Sequence, residues 1–517
     1  MSANLSRKVF SGLKWTTSST VVNVLMQTAY TSIIARLLPP AAFGLVALAM
    51  VLLRFGTYLA DMGLSQAVIQ KKNLSKFEIR ASFTATFLLG VLCFLLIYWL
   101  APLIAYLYDS KGLSDIMRVM ALSFVFTGAY STSRSLLRRE MNFKALSYVA
   151  IFSYGIAYLI IGIGLAWMGF GIWSLVYAAV GQSAISAVMC LYFAPHSMLF
   201  TFRWEYYRHL FNYGTKRSAN SVLEFIGLEL DTLILGKIAS STVLGYYNRA
   251  IFLIRLPMGY LTQSVSTVLF PALSSIQTEV YRLQKAFLTS ISYTTFFIYS
   301  VCVGVSISAE QIVWVLLGDQ WLEAIPALRI LAISALFNVS VQFSGIFIDA
   351  TARLKQKFIV QLAILAILAT LLYLLSPLGL VGFAWAVLIS QLVKNIAFIF
   401  ILRPVLKFSW ASVLGVYWQG VYSVGITGSI IYLLYFSMSA LGLPHWVILV
   451  GEVAGGGLGL IIVFWLAPTR YSNNWYLTNW ERAFSSRNTQ VFPQKQILKI
   501  IQLIRAIDPR LRAVKES

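Results

Sequence analysis

The chain has 517 residues, of which 59% are hydrophobic, 15% aromatic and only 11% charged. A soluble globular chain carries about 25% charged residues, so this composition argues against a water-soluble multidomain enzyme. Lys and Arg number 40 against 18 Asp and Glu, a formal net charge of +22. A nucleic-acid binder would need that excess on an exposed basic surface, which so apolar a sequence does not offer, and no nucleic-acid partner is expected.

The chain starts with a basic segment, Met1 to Trp15, carrying Arg7, Lys8 and Lys14. The stretch that follows is rich in Thr, Ser, Asn and Gln and has no small-residue cleavage site, so the N-terminus reads as mature rather than as a signal peptide. A bilayer core about 30 Å thick needs roughly 20 helical residues, and apolar segments of that size recur along the whole chain. They fall at about 15–38, 41–63, 81–107, 116–137, 146–168, 171–194, 210–236, 242–270, 286–316, 325–349, 358–376, 379–402, 413–440 and 445–467. The expected fold class is therefore an all-α polytopic membrane protein of about 14 transmembrane helices. Cys93, Cys190 and Cys302 stand singly in apolar runs and read as small buried hydrophobes.

The loops carry the charge unevenly. With both termini on one side, that side holds 29 of the Lys and Arg residues, including Lys71, Lys72, Lys76 and Arg80, then Arg134, Arg138, Arg139 and Lys144. The opposite side holds five: Arg36, Lys111, Arg118, Lys237 and Arg329. The positive-inside rule then places both termini in the cytoplasm, and most of the +22 reports topology rather than a ligand.

An internal repeat runs through the spans. At an offset of 201, Ala35-Arg36-Leu37 falls on Gly236-Lys237-Ile238, Gly44 on Gly245, and Leu53-Arg54 on Ile254-Arg255. At an offset of 211, Met117-Arg118-Val119-Met120-Ala121-Leu122-Ser123 falls on Leu328-Arg329-Ile330-Leu331-Ala332-Ile333-Ser334. Six spans repeat as the next six in the same orientation, the pattern of a transporter whose lobes are related by an axis along the membrane normal. The domains are an N-lobe at 1–205, a C-lobe at 206–405, two further spans at 406–468, and a basic cytoplasmic tail at 469–517. In the tail, Ile497, Ile500, Ile501 and Ile504 form an apolar stripe with Lys495, Lys499 and Arg505 mostly elsewhere, as in an amphipathic helix lying on anionic membrane lipids.

Ionisable residues at membrane depth face a cavity or a partner, because lipid will not solvate them. In span 7, Arg217, Asn220, Glu224 and Asp231 recur at spacings that put them on one helix face, which Glu229 does not share. Span 1 carries a similar stripe that includes Asn23 and Gln27. Arg54 and Arg255 lie about 20 Å from the outer ends of their spans, and Arg249 is shallower. One arginine per lobe suits an anion contact that forks onto phosphate. Structural ion pairs, such as Arg54 with Asp61 or Arg217 with Glu224, are the alternative. Glu224 and Asp231 are candidate sites for Na+ or H+ coupling, or simply neutralise Arg217. Lys216 and Lys394, near cytoplasmic ends, read as snorkelling residues.

No GxxxxGK[ST] phosphate loop, HExxH, GxSxG or paired-cysteine motif occurs, and His196, His209 and His445 are scattered. No enzymatic activity, resident metal or cofactor is expected.

The stretches Glu229-Leu230-Asp231-Thr232-Leu233-Ile234-Leu235-Gly236 and Leu244-Gly245-Tyr246-Tyr247-Asn248-Arg249-Ala250 resemble the signature of bacterial polysaccharide and oligosaccharide flippases of the Wzx type. Asp61-Met62-Gly63-Leu64-Ser65-Gln66-Ala67-Val68-Ile69-Gln70, Leu269-Phe270-Pro271-Ala272-Leu273-Ser274 and Gly318-Asp319-Gln320-Trp321 add to the likeness, which is strongest for the colanic-acid exporter branch. These flippases belong to the multidrug/oligosaccharidyl-lipid/polysaccharide (MOP) exporter superfamily. The resemblance implies a fold like that of the MATE transporters and lipid II flippases, with an alternating-access cavity between two lobes. It also implies an inner-membrane location, an undecaprenyl-pyrophosphate-linked oligosaccharide as substrate, and a place beside polysaccharide polymerase and export machinery. By local match to the lipid II flippases, their pyrophosphate-handling arginines fall on Arg54 and Arg249, whereas Arg255 matches Arg54 through the internal repeat. The expected function is a lipid-linked oligosaccharide flippase. The alternatives are a multidrug or cation antiporter of the same superfamily, or a non-transporting partner of a polysaccharide polymerase.

Overall fold

A computed structural model describes residues 2–61, 68, 69, 71, 74–203, 205, 206, 225–255, 258, 273, 276 and 279–466. Among these residues the regular structure is helical throughout, as expected in a bilayer, where backbone groups must find partners within their own segment. The helices are α1 (Ser2–Leu37), α2 (Pro40–Asp61), α3 (Lys76–Leu107), α4 (Leu113–Arg139), α5 (Phe143–Trp167), α6 (Ile172–Phe193), α7 (225–238) and α8 (241–255). They continue as α9 (Val280–Ile307), a short α10 (Ala309–Leu316), α11 (Ile325–Ala350), α12 (Leu354–Leu374), α13 (Gly379–Leu406), α14 (Trp410–Ala440) and α15 (His445–Leu466). Among the described residues nine helices are long and apolar enough to cross a membrane, and Pro40–Arg54 of α2 is a shorter apolar helix. The protein is a multi-pass membrane protein. Parts of the expected spans 7 and 8, and the amphipathic tail, lie outside the described residues.

Local signals set the boundaries. Ser75 caps α3 by accepting from the Glu78 amide while the Glu78 carboxylate accepts from the Ser75 amide, which satisfies two otherwise orphaned donors. Asn142 and Ser409 cap α5 and α14 through their side chains. Between helices, small and hydroxylated residues allow close approach. The Thr86 hydroxyl of α3 donates to Ser82 O of its own helix and lies 3.0 Å from Gly128 O of α4, and Ser82 lies 3.2 Å from Thr132.

The packing repeats itself. In the first half α3 packs on α4, α4 on α6 and α5 on α6; in the second, α9 packs on α11, α11 on α13 and α12 on α13. The extra helix α14 lies against α9 and α15.

The halves meet at the α1–α2 end, through residues that the repeat pairs. A Cβ on Gly44 would come 1.9 Å from Ser241 O, and one on Gly245 would come 2.0 Å from Pro40 O. Since Gly44 matches Gly245 and Pro40 matches Ser241, each helix start lies in the other's glycine notch. Arg36 donates to Val315 O of α10 at 2.9 Å, and its repeat mate Lys237 donates to Leu107 O of α3. The Trp321 indole donates to Ala35 O at 2.8 Å and packs edge-on against Phe43 and Tyr246. This end is closed by contacts made in duplicate.

Candidate functional site: a charged layer between the halves

Below that closed end, α2 and α8 each carry an arginine at the same helical depth: Arg54 is 14 residues from the start of α2, and Arg255 is 14 from the start of α8. They converge on one carboxylate. Arg54 Nη1 lies 2.7 Å from Glu229 Oε1, and Arg255 Nη1 lies 3.9 Å from the same oxygen while its Nη2 donates to Leu228 O at 3.0 Å. The side chain of Glu229 is 8% exposed, against 49% and 47% for the two arginines. The carboxylate is thus enclosed, and each guanidinium keeps an open side.

Glu229 escaped the sequence reading because it falls off the Arg217–Asp231 stripe. The structure gives it the central role in this layer. On an α-helix two residues are about 200° apart, so Glu229 and Asp231 point to nearly opposite sides of α7. Glu229 meets Arg54 across the halves, while Asp231 turns to its own half and accepts from the Tyr247 hydroxyl at 2.7 Å and the Thr232 amide at 2.7 Å. Asp231 is buried and hydrogen-bonded. The signal that could have found Glu229 is the repeat itself, since a carboxylate without a counterpart stands near two matched arginines.

Arg249 is in a different situation. Its guanidinium lies 4.4 Å from the Phe43 ring centre and 5.1 Å from that of Phe252, and Tyr30, Tyr154 and Tyr158 are within electrostatic reach. Tyr154 and Tyr158 stack with ring centres 4.5 Å apart, and Tyr30 meets Tyr158 edge-on at 4.9 Å. The Nε of Arg249 and the Tyr30 hydroxyl are buried with no hydrogen-bond partner among the described residues. Aromatic faces offset part of the cost of this charge, but no carboxylate among the described residues pairs with it.

The remaining residues read as candidates divide as follows. Asn23 is half-buried and donates to Ser19 O of its own helix at 2.8 Å, and Gln27 lies one turn further along α1, also half-buried. Arg217, Asn220, Glu224 and Lys216 lie outside the described residues, as does the Asp61 side chain, so the Arg217–Glu224 pairing has no structural description. Arg54 pairs with Glu229, and the Arg54–Asp61 pairing considered from sequence lies outside the described residues. Lys394 sits 5.7 Å from the Phe398 ring centre.

Two matched sets of membrane helices, closed on each other at one end and facing each other across buried charge below it, define a two-lobed membrane transporter fold. The chain belongs to the family described as polysaccharide biosynthesis protein, whose model matches residues 33–326. It is 27% identical to an uncharacterized membrane protein in the cps region of Klebsiella pneumoniae, over 78% of this chain and 84% of that one. It is 24% identical to the lipopolysaccharide biosynthesis protein WzxC of Escherichia coli K12, over 79% and 83%, and 22% identical to the teichuronic acid biosynthesis protein TuaB of Bacillus subtilis, over 81% and 86%. Among solved structures, the lipid II flippase MurJ in its inward closed conformation superposes with a TM-score of 0.69 at 16% identity, covering 89% of this chain and 99% of that one. An inward-facing MATE multidrug transporter of the MOP superfamily superposes at 0.58 and 15% identity, covering 75% and 96%. At such identities these likenesses show the fold. The Wzx-type resemblance within the MOP superfamily is borne out by the family match and these relatives.

Proposed function

We propose that the protein is a flippase that carries an undecaprenyl-pyrophosphate-linked oligosaccharide across the inner membrane by alternating access, for polysaccharide assembly. The observation that carries this reading is the convergence of Arg54 and Arg255, equivalent residues of the two halves, on a single carboxylate at membrane depth. Neither a glycan nor a pyrophosphate crosses hydrocarbon, whereas a layer in which two guanidinium groups share one carboxylate offers an anion net positive charge and forked donors. The head group bridges the halves through Arg54 and Arg255, with Arg249 as the uncompensated cation beside them. The lipid tail stays in the bilayer.

The positive-inside count supports cytoplasmic termini and makes the closed α1–α2 end the external one. A cation antiporter would be served by carboxylates alone, and the arginines here favour an anionic cargo instead. Asp231, with Glu224, is the candidate Na+ or H+ coupling group from the sequence, although the bonds from Tyr247 and Thr232 already occupy Asp231.

The test is flipping of a fluorescent lipid-linked oligosaccharide by purified protein in proteoliposomes. Arg54→Ala with Arg255→Ala should lose at least tenfold in rate, since a charge-assisted contact contributes about 1.5–3 kcal/mol. Undiminished flipping by a folded double variant would overturn the proposal.

A further inference from the structure

Outside the repeat, α15 buries a second carboxylate that the layer above does not use. Glu452 is 1% exposed, and neither of its oxygens has a hydrogen-bond partner among the described residues. Ser308 and Glu310 face it from the start of α10, and Glu310 is itself 3.7 Å from Arg329 of α11. Among the described residues, the other helices packed on α15, α9 and α14, bring no compensating charge. In α14 there is no charged residue at all, and the charged residues of α9, Arg282 and Lys285, lie more than twenty residues before Ser306, at its opposite end. On α15 itself the second titratable group is His445, whose ring stacks on Trp314 of α10 at 5.0 Å.

An ionised carboxylate with no cation, and with the Ser308 hydroxyl as its one nearby donor among the described residues, would be strongly disfavoured at this depth. Among the described residues no three acidic, histidine or cysteine side chains gather to hold a metal ion. A proton needs only one oxygen. Short α10 links this group to the closed end: its first turn faces Glu452, while the carbonyls of Trp314 and Val315 in its last turn accept from Arg36 of the other half.

We propose that Glu452 is a proton-binding site whose protonated form lets α10 seat against α15 and so holds the α1–α2 end closed. The step is simple: a proton from water on that side joins a carboxylate oxygen. Loss of the proton leaves a carboxylate that draws in water and repels Glu310, which lifts α10 and slackens the Arg36 latch. The inference rests on the carrier reading only in assuming that an opened state exists.

The experiment uses the full chain in lipid nanodiscs, with Cys93, Cys190 and Cys302 replaced by serine. Spin labels are placed at Leu37→Cys and Ile238→Cys, repeat-matched residues that are both 39% exposed beside the latch. Double electron–electron resonance then reads the distance across the closed end with no glycan lipid present, so its outcome is separate from the identity of the cargo. From about pH 8 to about pH 5 the short-distance population should rise roughly threefold in the parent, stay high throughout in Glu452→Gln, and still titrate in Glu452→Asp. A distance that ignores pH, a Glu452→Gln protein that titrates like its parent, or a closure that follows sodium at fixed pH would each overturn the proposal.

Discussion

Arg54 and Arg255 reach the same oxygen of Glu229 from opposite halves of the molecule, at 2.7 and 3.9 Å. The asymmetry of exposure decides what this contact does. An enclosed carboxylate fixes two cations whose outer sides remain open, so an incoming anion meets them already positioned. In this state Glu229 stands where a second negative group would otherwise be needed.

Replacing Glu229 separates holding from binding. Glu229→Gln removes the counter-charge but keeps a hydrogen-bond acceptor for Arg54. Breaking a buried pair costs about 3–5 kcal/mol, and a surface pair contributes below about 1 kcal/mol. Since both arginines are half open, we expect a loss of about 1–2 kcal/mol, read as a lowered melting temperature in detergent. Binding of inorganic pyrophosphate, followed by calorimetry, should stay level or tighten. A Glu229→Gln protein that no longer binds the anion would show that the carboxylate itself contacts the ligand.

The closed end depends on the absence of two side chains. Gly44→Ala would drive a methyl group into Ser241 O, and Gly245→Ala would do the same to Pro40 O. Backbone offers no flexible end to move aside, so the halves must separate there. Either substitution should lengthen the distance between labels at positions 37 and 238, while leaving each half folded by circular dichroism. An unchanged distance would mean that the notch relaxes without opening.

These glycines show how far the sequence was legible. The repeat offset of 201 that aligned Gly44 with Gly245 and Arg54 with Arg255 came from the sequence alone; in the structure the glycines make reciprocal contacts and the arginines converge on one carboxylate. Helix existence was legible because a span needs a long apolar run, which few residues can interrupt. Glu229 was not, because helical periodicity assigns a face and says nothing of which neighbouring helix that face meets. Glu452 was hidden for a related reason: one carboxylate in an apolar span has no spacing to betray it. The aromatic cage of Arg249 draws Tyr30, Phe43 and Tyr154 from three helices, a convergence that only packing creates.

Tyr247→Phe tests what Asp231 is for. The substitution removes the 2.7 Å hydrogen bond to a buried carboxylate and nothing else of that size. Loss of a bond to a charged group costs about 1.5–3 kcal/mol, so stability should fall measurably. If Asp231 only ties α7 to α8, transport by the surviving folded protein should keep its dependence on sodium and pH. A changed ion dependence in proteoliposomes would instead make Asp231 a coupling group that Tyr247 helps to position.

Arg249 offers the sharpest separation of stability from function. Its charge sits against Phe43 and Phe252 with an unpartnered Nε and no ion pair among the described residues, an arrangement that works against folding. A residue kept at such a cost commonly serves a ligand, and relieving it trades activity for stability. Arg249→Met preserves much of the side-chain length and its packing on the rings while deleting the charge. We expect the melting temperature to hold or rise, with a gain of up to about 1–2 kcal/mol, while flipping falls at least tenfold. Arg249→Lys keeps the charge but loses the planar fork, and should recover stability similar to the parent with only part of its activity. A methionine variant that flips normally would make Arg249 a packing residue and leave the anion to Arg54 and Arg255. One that unfolds would show that the rings need the cation for their own arrangement.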